Sequence, residues 1–485
     1  MAKDFRGLVF LLLLCLFLGV VGCKTIPAVI VPQDPDPGDP DPGENTFYVS
    51  TTGNDANPGS LQAPWRNPGY ASRQLAPGDT LVILGGTYFL SRFDDDILIP
   101  PSGEEGKWIT IRGEEGNRPI LAGRDNLFCA IMLTGVSYLR LQNLEITADT
   151  PSFFRDAITG VEGPNAHLEF EDLYIHHIDQ FGINLKDVSY LDIRDCILEY
   201  CGFGCIGGPE GDAGGWQNVT IQDCELSFSG HYYQGQMDNP ALPYDRPDGI
   251  GLEPSEGPIE IARCVAQHNR GDGLDTKNDN TWIHECLVAN NYADGVKLWG
   301  DGTTVENTLI VGTGDGDANS PWSPLVIGND RTPGARFTLT NVTIHGNPDR
   351  RSYSMYAQYD SNNPVTVELT NCIFSHCYGM AFFGDSVTLV AKNNDFYRPN
   401  HDDQVYANGR EYTAAQINAG QLGEGNMSHD PLFVAPAWGS DVFDFHLTPN
   451  SPCLDQGSAQ DAPDIDLEGN DRPQGEGYDI GAYEQ

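Results

Sequence analysis

Three Asp-Gly dipeptides recur at almost constant spacing near the middle of the chain. They begin at Asp248, Asp272 and Asp294, so the two intervals are 24 and 22 residues. Asp275 and Lys297 follow the second and third dipeptides at the same offset and are also 22 residues apart. If each interval is one stacked structural unit, the carboxylates of Asp248, Asp272 and Asp275 converge. Clustered carboxylates suit a hard cation that takes oxygen ligands, such as Ca²⁺.

Lys297 is the residue of this group that could move a proton. With a side-chain period of two in each unit, it would lie beside Asp275 on the same outer face. A lysine close to a bound divalent cation has its charged form disfavoured, so its pKa falls and it can act as a base. Such a base suits a uronic acid, because removal of the hydrogen at C5 lets the C4–O bond break by β-elimination.

The same residues also have a purely structural interpretation, which the sequence leaves open. Asp-Gly is a common turn dipeptide, and Asp294 is most simply a turn residue. Asp275 and Lys297 could form an ordinary cross-strand ion pair, worth roughly a few tenths of a kcal/mol.

A repeated strand pattern shows which elements must position these residues. Ten segments alternate apolar and polar residues and then reach a marked polar residue, often just before a cysteine. The marked residues are Asn143, Asp172, Asp195, Asp223, Arg263, Glu285, Asn307, Asn341, Asn371 and Asn394. Their shortest interval is 22 residues, and the longer ones fit loop insertions. Short period-2 strands that must share a core predict an all-β fold, a parallel β-helix of about ten coils.

Cysteines mark one column of this predicted solenoid. Equivalent positions are occupied by Cys196, Cys224, Cys264, Cys286, Thr308, Val342 and Cys372. The alternation points this column inward, where small apolar thiols pack well. We therefore predict buried free thiols, although an exported protein could also pair its cysteines.

The composition limits the partners that the protein can have. The 485 residues include 69 Asp and Glu against 27 Lys and Arg, which gives a net charge of −42. This charge argues against nucleic acid or an anionic membrane surface as the main partner. A polyanionic polysaccharide would need a cation between it and the protein, so we expect uronate binding to depend on calcium.

The N-terminal residues are typical of an exported protein. Lys3 and Arg6 precede the apolar run 8–21, which is too short for a comfortable membrane span. The run ends in VVGC, which resembles a bacterial lipobox, so we predict lipidation of Cys23; an ordinary secretory signal is the alternative. We expect a lipoprotein signal peptide at 1–22, a Pro/Asp-rich tether at 23–45 and the β-helix domain at 46–485. The protein would then be an exported bacterial lipoprotein at the cell surface or outer membrane, held there by its lipid alone, and a monomer.

The chain resembles the right-handed parallel β-helix proteins of bacterial surfaces and polysaccharide lyases. The resemblance lies in the end segments 47–88 and 430–484 and implies an N-terminal cap at 46–125, coils at 126–425 and a C-terminal segment at 426–485. RGDGLDTKND at 270–279 and ADGVKLWG at 293–300 resemble the motif pair of polysaccharide lyase family 9.

This second resemblance implies a role for each residue of the group. In that family an acidic motif and an upstream Asp bind calcium, and the lysine of the second motif is the Brønsted base. Asp272, Asp275 and Asp248 are thereby implied as calcium ligands and Lys297 as the catalytic base. The first acidic position of the family motif is Gly271 here, which implies weaker calcium binding, another ligand, or no calcium.

Two inserted loops are predicted to contact the substrate. One carries Tyr244, and the loop after Lys297 carries Trp322, Arg331 and Arg336. Aromatic rings can stack on sugars and arginines can pair with uronate carboxylates, although the loops could instead only cover the sheet faces.

These features together predict a calcium-dependent, pectate lyase-like polysaccharide lyase that acts on a polygalacturonate-like acidic polysaccharide. One alternative is another carbohydrate enzyme on the same fold, either a glycoside hydrolase with paired carboxylates or a uronate epimerase. A second alternative is a non-catalytic surface protein that binds glycans.

Overall fold

The structure is a computed structural model that describes residues 45–244, 246–313, 323–347, 351–358, 362–460 and 462–485. The predicted signal peptide, Cys23, the tether up to residue 44 and Trp322 lie outside the described residues. Parallel strands stack into three long sheets, and each coil passes through the three sheets in turn. The predicted right-handed parallel β-helix is confirmed.

The three sheets run side by side along the stack of coils. The first sheet consists of Thr46–Val49, Thr80–Ile83, Ile109–Gly113, Ser137–Gln142, Asn165–Glu171, Val188–Arg194, Trp216–Gln222, Ile259–Ala262, Thr281–His284, Thr303–Glu306, Arg336–Thr340, Val365–Thr370 and Val387–Lys392. The second consists of Thr87–Leu90, Ile120–Gly123, Glu145–Ala148, Tyr174–Ile178, Ile197–Cys201, Glu225–Ser227, Val265–Gln267, Leu287–Ala289, Leu309–Val311, Thr343–His345, Ile373–Ser375 and Asp395–Tyr397. The third consists of Leu127–Thr134, Phe154–Glu162, Phe181–Leu185, Gly204–Gly208, Asp248–Leu252, Leu274–Thr276, Val296–Leu298, Leu325–Ile327, Met355–Ala357, Ala381–Phe383, Asp403–Ala407 and Arg410–Thr413.

The remaining elements are short. Hairpins join Tyr232–Tyr233 to Gln236–Met237 and Phe433–Ala435 to Asp444–Leu447. The helices are Pro68–Ser72, Phe93–Asp96 and Ala414–Asn418. Within the described part of the chain, no helix has the length and apolar character needed to span a membrane.

From Asn143 onward, each coil turns from the first sheet into the second at one residue in the left-handed conformation. Nine of the ten marked residues of the repeat occupy this corner, with φ between 40° and 56°. The tenth position was wrong by one residue, because Asn393 holds the left-handed corner (φ 53°) and Asn394 is the buried residue after it. Two adjacent asparagines both suit a turn, so the pattern alone could not distinguish them.

The predicted column of buried thiols is confirmed. All ten cysteines of the described residues are free and buried. The thiol of Cys264 lies 3.3 Å from the carbonyl oxygen of Ala262, and that of Cys286 lies 3.3 Å from the carbonyl oxygen of His284. The column therefore contributes packing and weak hydrogen bonds to the core rather than cross-links.

The C-terminal segment lies along the corner between the first and second sheets. Asn341 Nδ2 donates to the carbonyl oxygen of Gly481 at 2.9 Å, and Asn371 Oδ1 accepts from the backbone N–H of Ser458 at 2.7 Å. The asparagines that form the corner thus also hold this segment in place.

Asp395 is completely buried where the second sheet meets the C-terminal segment. Its carboxylate accepts from the backbone N–H of His429 at 2.9 Å and lies 3.7 Å from the thiol of Cys453. Burial raises the pKa of Asp395 to about 8. Between about pH 4 and pH 8 the folded protein therefore retains a proton that the unfolded chain has already released.

Asp395→Asn is expected to remove part of the pH dependence of stability. Because the folded state binds the extra proton, raising the pH across this window lowers the free energy of unfolding of the wild type, on the order of a few kcal/mol. The variant lacks this loss, so its stability relative to wild type should be higher near pH 8 than near pH 5. Denaturant titrations at both pH values measure the difference, and an equal difference at both would contradict the assignment.

Candidate active site

The third sheet carries the predicted group on its outer surface. Parallel pairing places Gly251 beside Asp275, and Asp275 beside Lys297, in consecutive coils. The residues that precede them are Ile250, Leu274 and Val296, all fully buried in the core. The column that the spacing predicted is therefore present, and Asp275 and Lys297 lie one strand apart on the outer face.

The Asp-Gly aspartates form a second column at the start of these strands. Asp248 Oδ1 accepts from the backbone N–H of Asp272 at 2.7 Å, and Asp272 Oδ1 accepts from that of Asp294 at 2.8 Å. Asp294 Oδ1 continues the series by accepting from the backbone N–H of Ser323 at 2.9 Å. One oxygen of each carboxylate thus bonds to the backbone of the next coil. The Asp-Gly aspartates therefore have a structural role, and this role uses only one of their two oxygens.

The second oxygens of this column face the mid-strand residues. Asp248, Asp272 and Asp275 each offer one carboxylate oxygen, and these three atoms lie within 4.8 Å of one another. We refer to these residues as the aspartate cluster. Lys297 Nζ lies 3.0 Å from Asp272 Oδ2 and 3.0 Å from Asp275 Oδ2. The ammonium of Lys277 lies farther away, 3.9 Å from Asp275 Oδ2, so two ammoniums face three carboxylates and an excess of negative charge remains.

The electrostatics of the aspartate cluster show that this excess is not relieved by the protein. Burial, only partly offset by the charges of Lys297 and Lys277, raises the pKa of Asp275 to about 6. Burial and the charges of Asp272 and Asp275 raise the pKa of Asp248 well above its usual range. Asp275 is only 5% exposed, and its Oδ1 is buried without a hydrogen-bond partner among the described residues. A buried carboxylate oxygen without a donor fits an additional cation at this position.

Lys297 has the opposite shift from the one expected for a base beside a cation. Burial disfavours its ammonium form, but the charges of Asp272 and Asp275 outweigh burial and raise the pKa of Lys297. With only protein groups around it, Lys297 is therefore a protonated partner of the two carboxylates. The lowered pKa requires a further positive charge beside these aspartates.

The position of Gly271 explains the departure from the acidic motif. A Cβ atom there would lie 2.3 Å from Asp248 Oδ1 and 2.6 Å from the backbone carbon of Arg246. Any side chain at 271 would therefore displace either Asp248 or the backbone before it. Asp248 can therefore occupy its observed position only because residue 271 is a glycine and not the acidic residue of the family motif.

Gly271→Asp is expected to weaken the aspartate cluster although it adds an acidic residue. Crowding against Arg246 should lower the free energy of unfolding by about 1–3 kcal/mol, and displacement of Asp248 should reduce calcium affinity. Denaturant titration and calcium titration calorimetry measure the two effects. Tighter calcium binding with unchanged stability would show that the site tolerates the acidic motif.

Tyr244 and Arg331 lie near the aspartate cluster. Tyr244 is 42% exposed, and burial of its hydroxyl together with the charges of Asp248, Asp275 and Asp272 raises its pKa to about 12. Arg331 donates to the carbonyl oxygen of Lys277, whose ammonium lies 3.9 Å from Asp275 Oδ2.

Arg336, another candidate substrate contact, is not brought to this site. Arg336 begins a strand of the first sheet, on a different face of the coil, where its guanidinium pairs with Glu368. Trp322 lies outside the described residues. Because a long insertion precedes Arg336, the sequence does not show where the chain rejoins the repeat. The prediction therefore assigned Arg336 to a substrate-contacting loop, whereas it lies in a strand of the first sheet.

Sequence reasoning missed Trp299, which lies two residues after Lys297 on the same face. Its ring covers Gly328 of the next coil so closely that a Cβ there would lie 2.9 Å from the indole. The indole Nε1 is buried without an acceptor among the described residues. The period-2 alternation already placed Trp299 outward, so this signal was available in the sequence.

Comparison with known proteins gives matches to the sequence and to the fold. Residues 47–316 match the family model described as the Pel9A-like, right handed beta helix region. A protein of Bacillus subtilis (strain 168), the uncharacterized protein YwoF, is 28% identical over 142 residues, which cover 27% of this chain and 29% of that protein. The match thus spans less than a third of the length of this curated relative.

Two solved structures share the architecture along almost their whole length. Pectate lyase Pel9A superposes with a TM-score of 0.50 at 15% identity, covering 91% of this chain and 97% of that chain. XylC, solved in complex with xylose, superposes with a TM-score of 0.60 at 11% identity, covering 91% of this chain and 99% of that chain. At these identities the likeness establishes the fold.

Proposed function

Because the chain belongs to the Pel9A-like right-handed β-helix family, we propose that it is a calcium-dependent polysaccharide lyase acting on polygalacturonate-like uronic acid polymers. The observation that carries this proposal is the arrangement of Lys297 against the aspartate cluster. Its ammonium lies 3.0 Å from two carboxylates of a cluster whose negative charge the protein does not balance. A structural ion pair alone leaves the orphaned Asp275 Oδ1 unexplained.

The three aspartates would hold the cation through the carboxylate oxygens that do not accept backbone hydrogen bonds from the neighbouring coil. Asp275 contributes the unpartnered Oδ1, and Asp248 and Asp272 contribute the carboxylates whose first oxygens are already bonded to the next coil. A calcium ion bound there would supply the positive charge that joins a uronate carboxylate to the acidic cluster and stabilises the charge that develops on it.

Lys297 performs the proton transfer in the proposed reaction. Its Nζ lies on the outer face of the sheet and removes the proton from C5 of the uronate when it is present as the free amine. The C5–H electron pair forms the C4–C5 double bond, the C4–O bond breaks, and the leaving oxygen takes a proton from solvent. The products are a shortened chain and a second chain that carries an unsaturated uronate at its new end.

The groups around the aspartate cluster are suited to hold a polymer of uronates. Tyr244 offers a partly exposed ring beside the cluster, and Phe203 supports it at a centroid distance of 5.5 Å. Arg331 is one-third exposed and lies beside Lys277, where it can pair with the carboxylate of a neighbouring sugar. Export as a lipoprotein through Cys23, attachment at the cell surface and a monomeric state are part of the proposal and rest on the sequence alone.

Product analysis separates the proposed reaction from the alternatives. The purified protein is incubated with polygalacturonate and Ca²⁺, and the oligosaccharides are weighed by mass spectrometry. Each cleavage by a lyase yields one fragment with an unsaturated end that is one water lighter than the corresponding hydrolysis product, whereas a hydrolase yields only saturated chains. Chains of unchanged length would contradict cleavage and leave an epimerase or a glycan-binding protein.

A further inference from the structure

A short stack of aromatic rings lies on the outer face of the first sheet, which is not the sheet that carries the aspartate cluster. Tyr138, His167 and Tyr190 occupy equivalent positions in consecutive coils, each in the left-handed conformation with φ between 51° and 58°. This conformation lets each side chain leave the strand as a bulge while its neighbours keep their pairing. His167 is sandwiched between the other two rings, with centroid distances of 4.4 and 4.6 Å and interplanar angles of 5° and 2°.

The stack ends at Tyr190, and its continuation is a cavity. The next coil has the same left-handed bulge at Asn218 (φ 53°), but this residue has no ring to place on Tyr190. Tyr190 is 54% exposed, and no ring stacks on its second face among the described residues. An open depression of about 310 Å³ runs beside the stack from Trp108 and His167, continues past Tyr190 to Asn218, and is also lined by Asp192, Thr220 and Gln222.

Asp192 provides a second, independent sign that the depression takes a ligand. Its Oδ2 accepts from Arg194, while its Oδ1 is buried without a hydrogen-bond partner among the described residues. A buried carboxylate oxygen that accepts nothing is costly unless a donor reaches it. Because Oδ1 is shielded from solvent, a sugar hydroxyl reaches it when the carboxylate of Asp192 rotates toward the depression, where the ring of Tyr190 offers an apolar face to pack on.

We propose that this depression is a second carbohydrate-binding site, in which a neutral pyranose ring occupies the place of a fourth ring on Tyr190. The sugar would stack its C–H face on Tyr190 and donate a hydroxyl to Asp192 Oδ1. Glu169 and Asp192 make the lining acidic, and neither Arg140 nor Arg194, which pair with them, lines the depression. Uronates are therefore disfavoured here, in contrast to the aspartate cluster. This site does not depend on the proposed lyase activity.

Titration calorimetry on the full chain tests the site with three neutral probes, namely cellohexaose, xylohexaose and mannohexaose, and with hexagalacturonate. All titrations contain a chelator, so that calcium-dependent binding at the aspartate cluster does not contribute. We expect at least one neutral hexasaccharide to bind and hexagalacturonate not to bind. Failure of all three neutral probes, or binding of hexagalacturonate alone, would overturn the proposal.

Substitutions at two positions, Tyr190 and Asn218, locate the binding. Tyr190→Ala should weaken the affinity at least about tenfold, whereas Tyr190→Phe should retain it, because the ring face is kept. Asn218→Tyr adds the missing fourth ring, so it should block sugar binding without lowering the thermal unfolding midpoint. If Tyr190→Ala folds poorly, the sugar affinity of Asn218→Tyr tests the site instead. Tyr378→Ala, which removes an exposed ring from outside the depression, is the control. Wild-type affinity in both Tyr190→Ala and Asn218→Tyr would refute the site.

Discussion

Replacing Lys297 by arginine is expected to abolish elimination while leaving the fold intact. Arginine keeps a positive charge between Asp272 and Asp275, but its guanidinium stays protonated at any usable pH and cannot accept a proton. General-base catalysis contributes about 10²–10⁴-fold. The rate of unsaturated product formation from polygalacturonate at saturating calcium should therefore fall by about that factor.

The test uses Lys297→Arg, which keeps the positive charge, because Lys297 is also the ion-pair partner of Asp272 and Asp275. Removing its charge altogether, as in Lys297→Met, takes the ammonium at 3.0 Å from two buried carboxylates and leaves only Lys277, 3.9 Å from Asp275, which costs about 3–5 kcal/mol. Lys277→Arg is the matched control, because Lys277 lies one coil away and pairs with Glu253 Oε1 at 2.5 Å. That variant should retain most of the activity. A Lys297→Arg enzyme with the wild-type rate would contradict the assignment of Lys297 as the base.

Asp275→Asn is expected to separate calcium binding from folding. The change removes one of three ligand charges and the orphaned buried carboxylate oxygen, so calcium affinity should fall by at least roughly tenfold. In chelator the variant should be no less stable than wild type, because the charge that burial disfavours has been removed. The measurement is the rise in the thermal unfolding midpoint on adding calcium, which should be large for wild type and small for the variant.

Asp294→Asn is the control for this experiment. Asp294 lies in the same column of turn aspartates and is equally buried, but it is not a member of the aspartate cluster. Its Oδ1 accepts from the backbone N–H of Ser323, a bond that an asparagine can keep. Its midpoint should rise with calcium as in wild type. An equal calcium response in Asp275→Asn and wild type would exclude Asp275 as a ligand.

Much of the fold was predictable because one structural unit is repeated. Nine left-handed corner residues, the inward cysteine column and the register of Asp275 beside Lys297 all follow from a period near 22 residues and an alternation of two. Stacking multiplies a weak local signal, since every copy must bury the same positions against the same core.

Features that depend on contacts between coils were not predictable in this way. The clash of a side chain at 271 with Asp248 and Arg246 involves a loop whose path the repeat does not determine. Likewise, the raised pKa of Lys297 follows from two carboxylates at 3.0 Å, a distance that residue spacing cannot give. Arg336 was misplaced because an insertion of variable length precedes its strand.

The ring stack that ends at Tyr190 was missed for a different reason. Its members lie inside the strands of the first sheet, where an alternating pattern predicts ordinary extended residues. In the coils of Tyr138, His167 and Tyr190 the structure instead has a left-handed residue, which shifts the alternation by one residue and turns the ring outward. A bulge repeated in consecutive coils appears in the sequence only as an aromatic residue that breaks the alternation, and this signal is weak in any single copy.

The most direct test of the central claim is the ultraviolet absorbance of polygalacturonate incubated with the wild-type protein and with Lys297→Arg, each in calcium and in chelator. An unsaturated uronate absorbs where the polymer does not. We expect absorbance to rise steadily for wild type in calcium and to stay near the background in the other three samples. No rise for wild type in calcium at any pH, or an equal rise with Lys297→Arg, would contradict a cation-dependent elimination with Lys297 as its base.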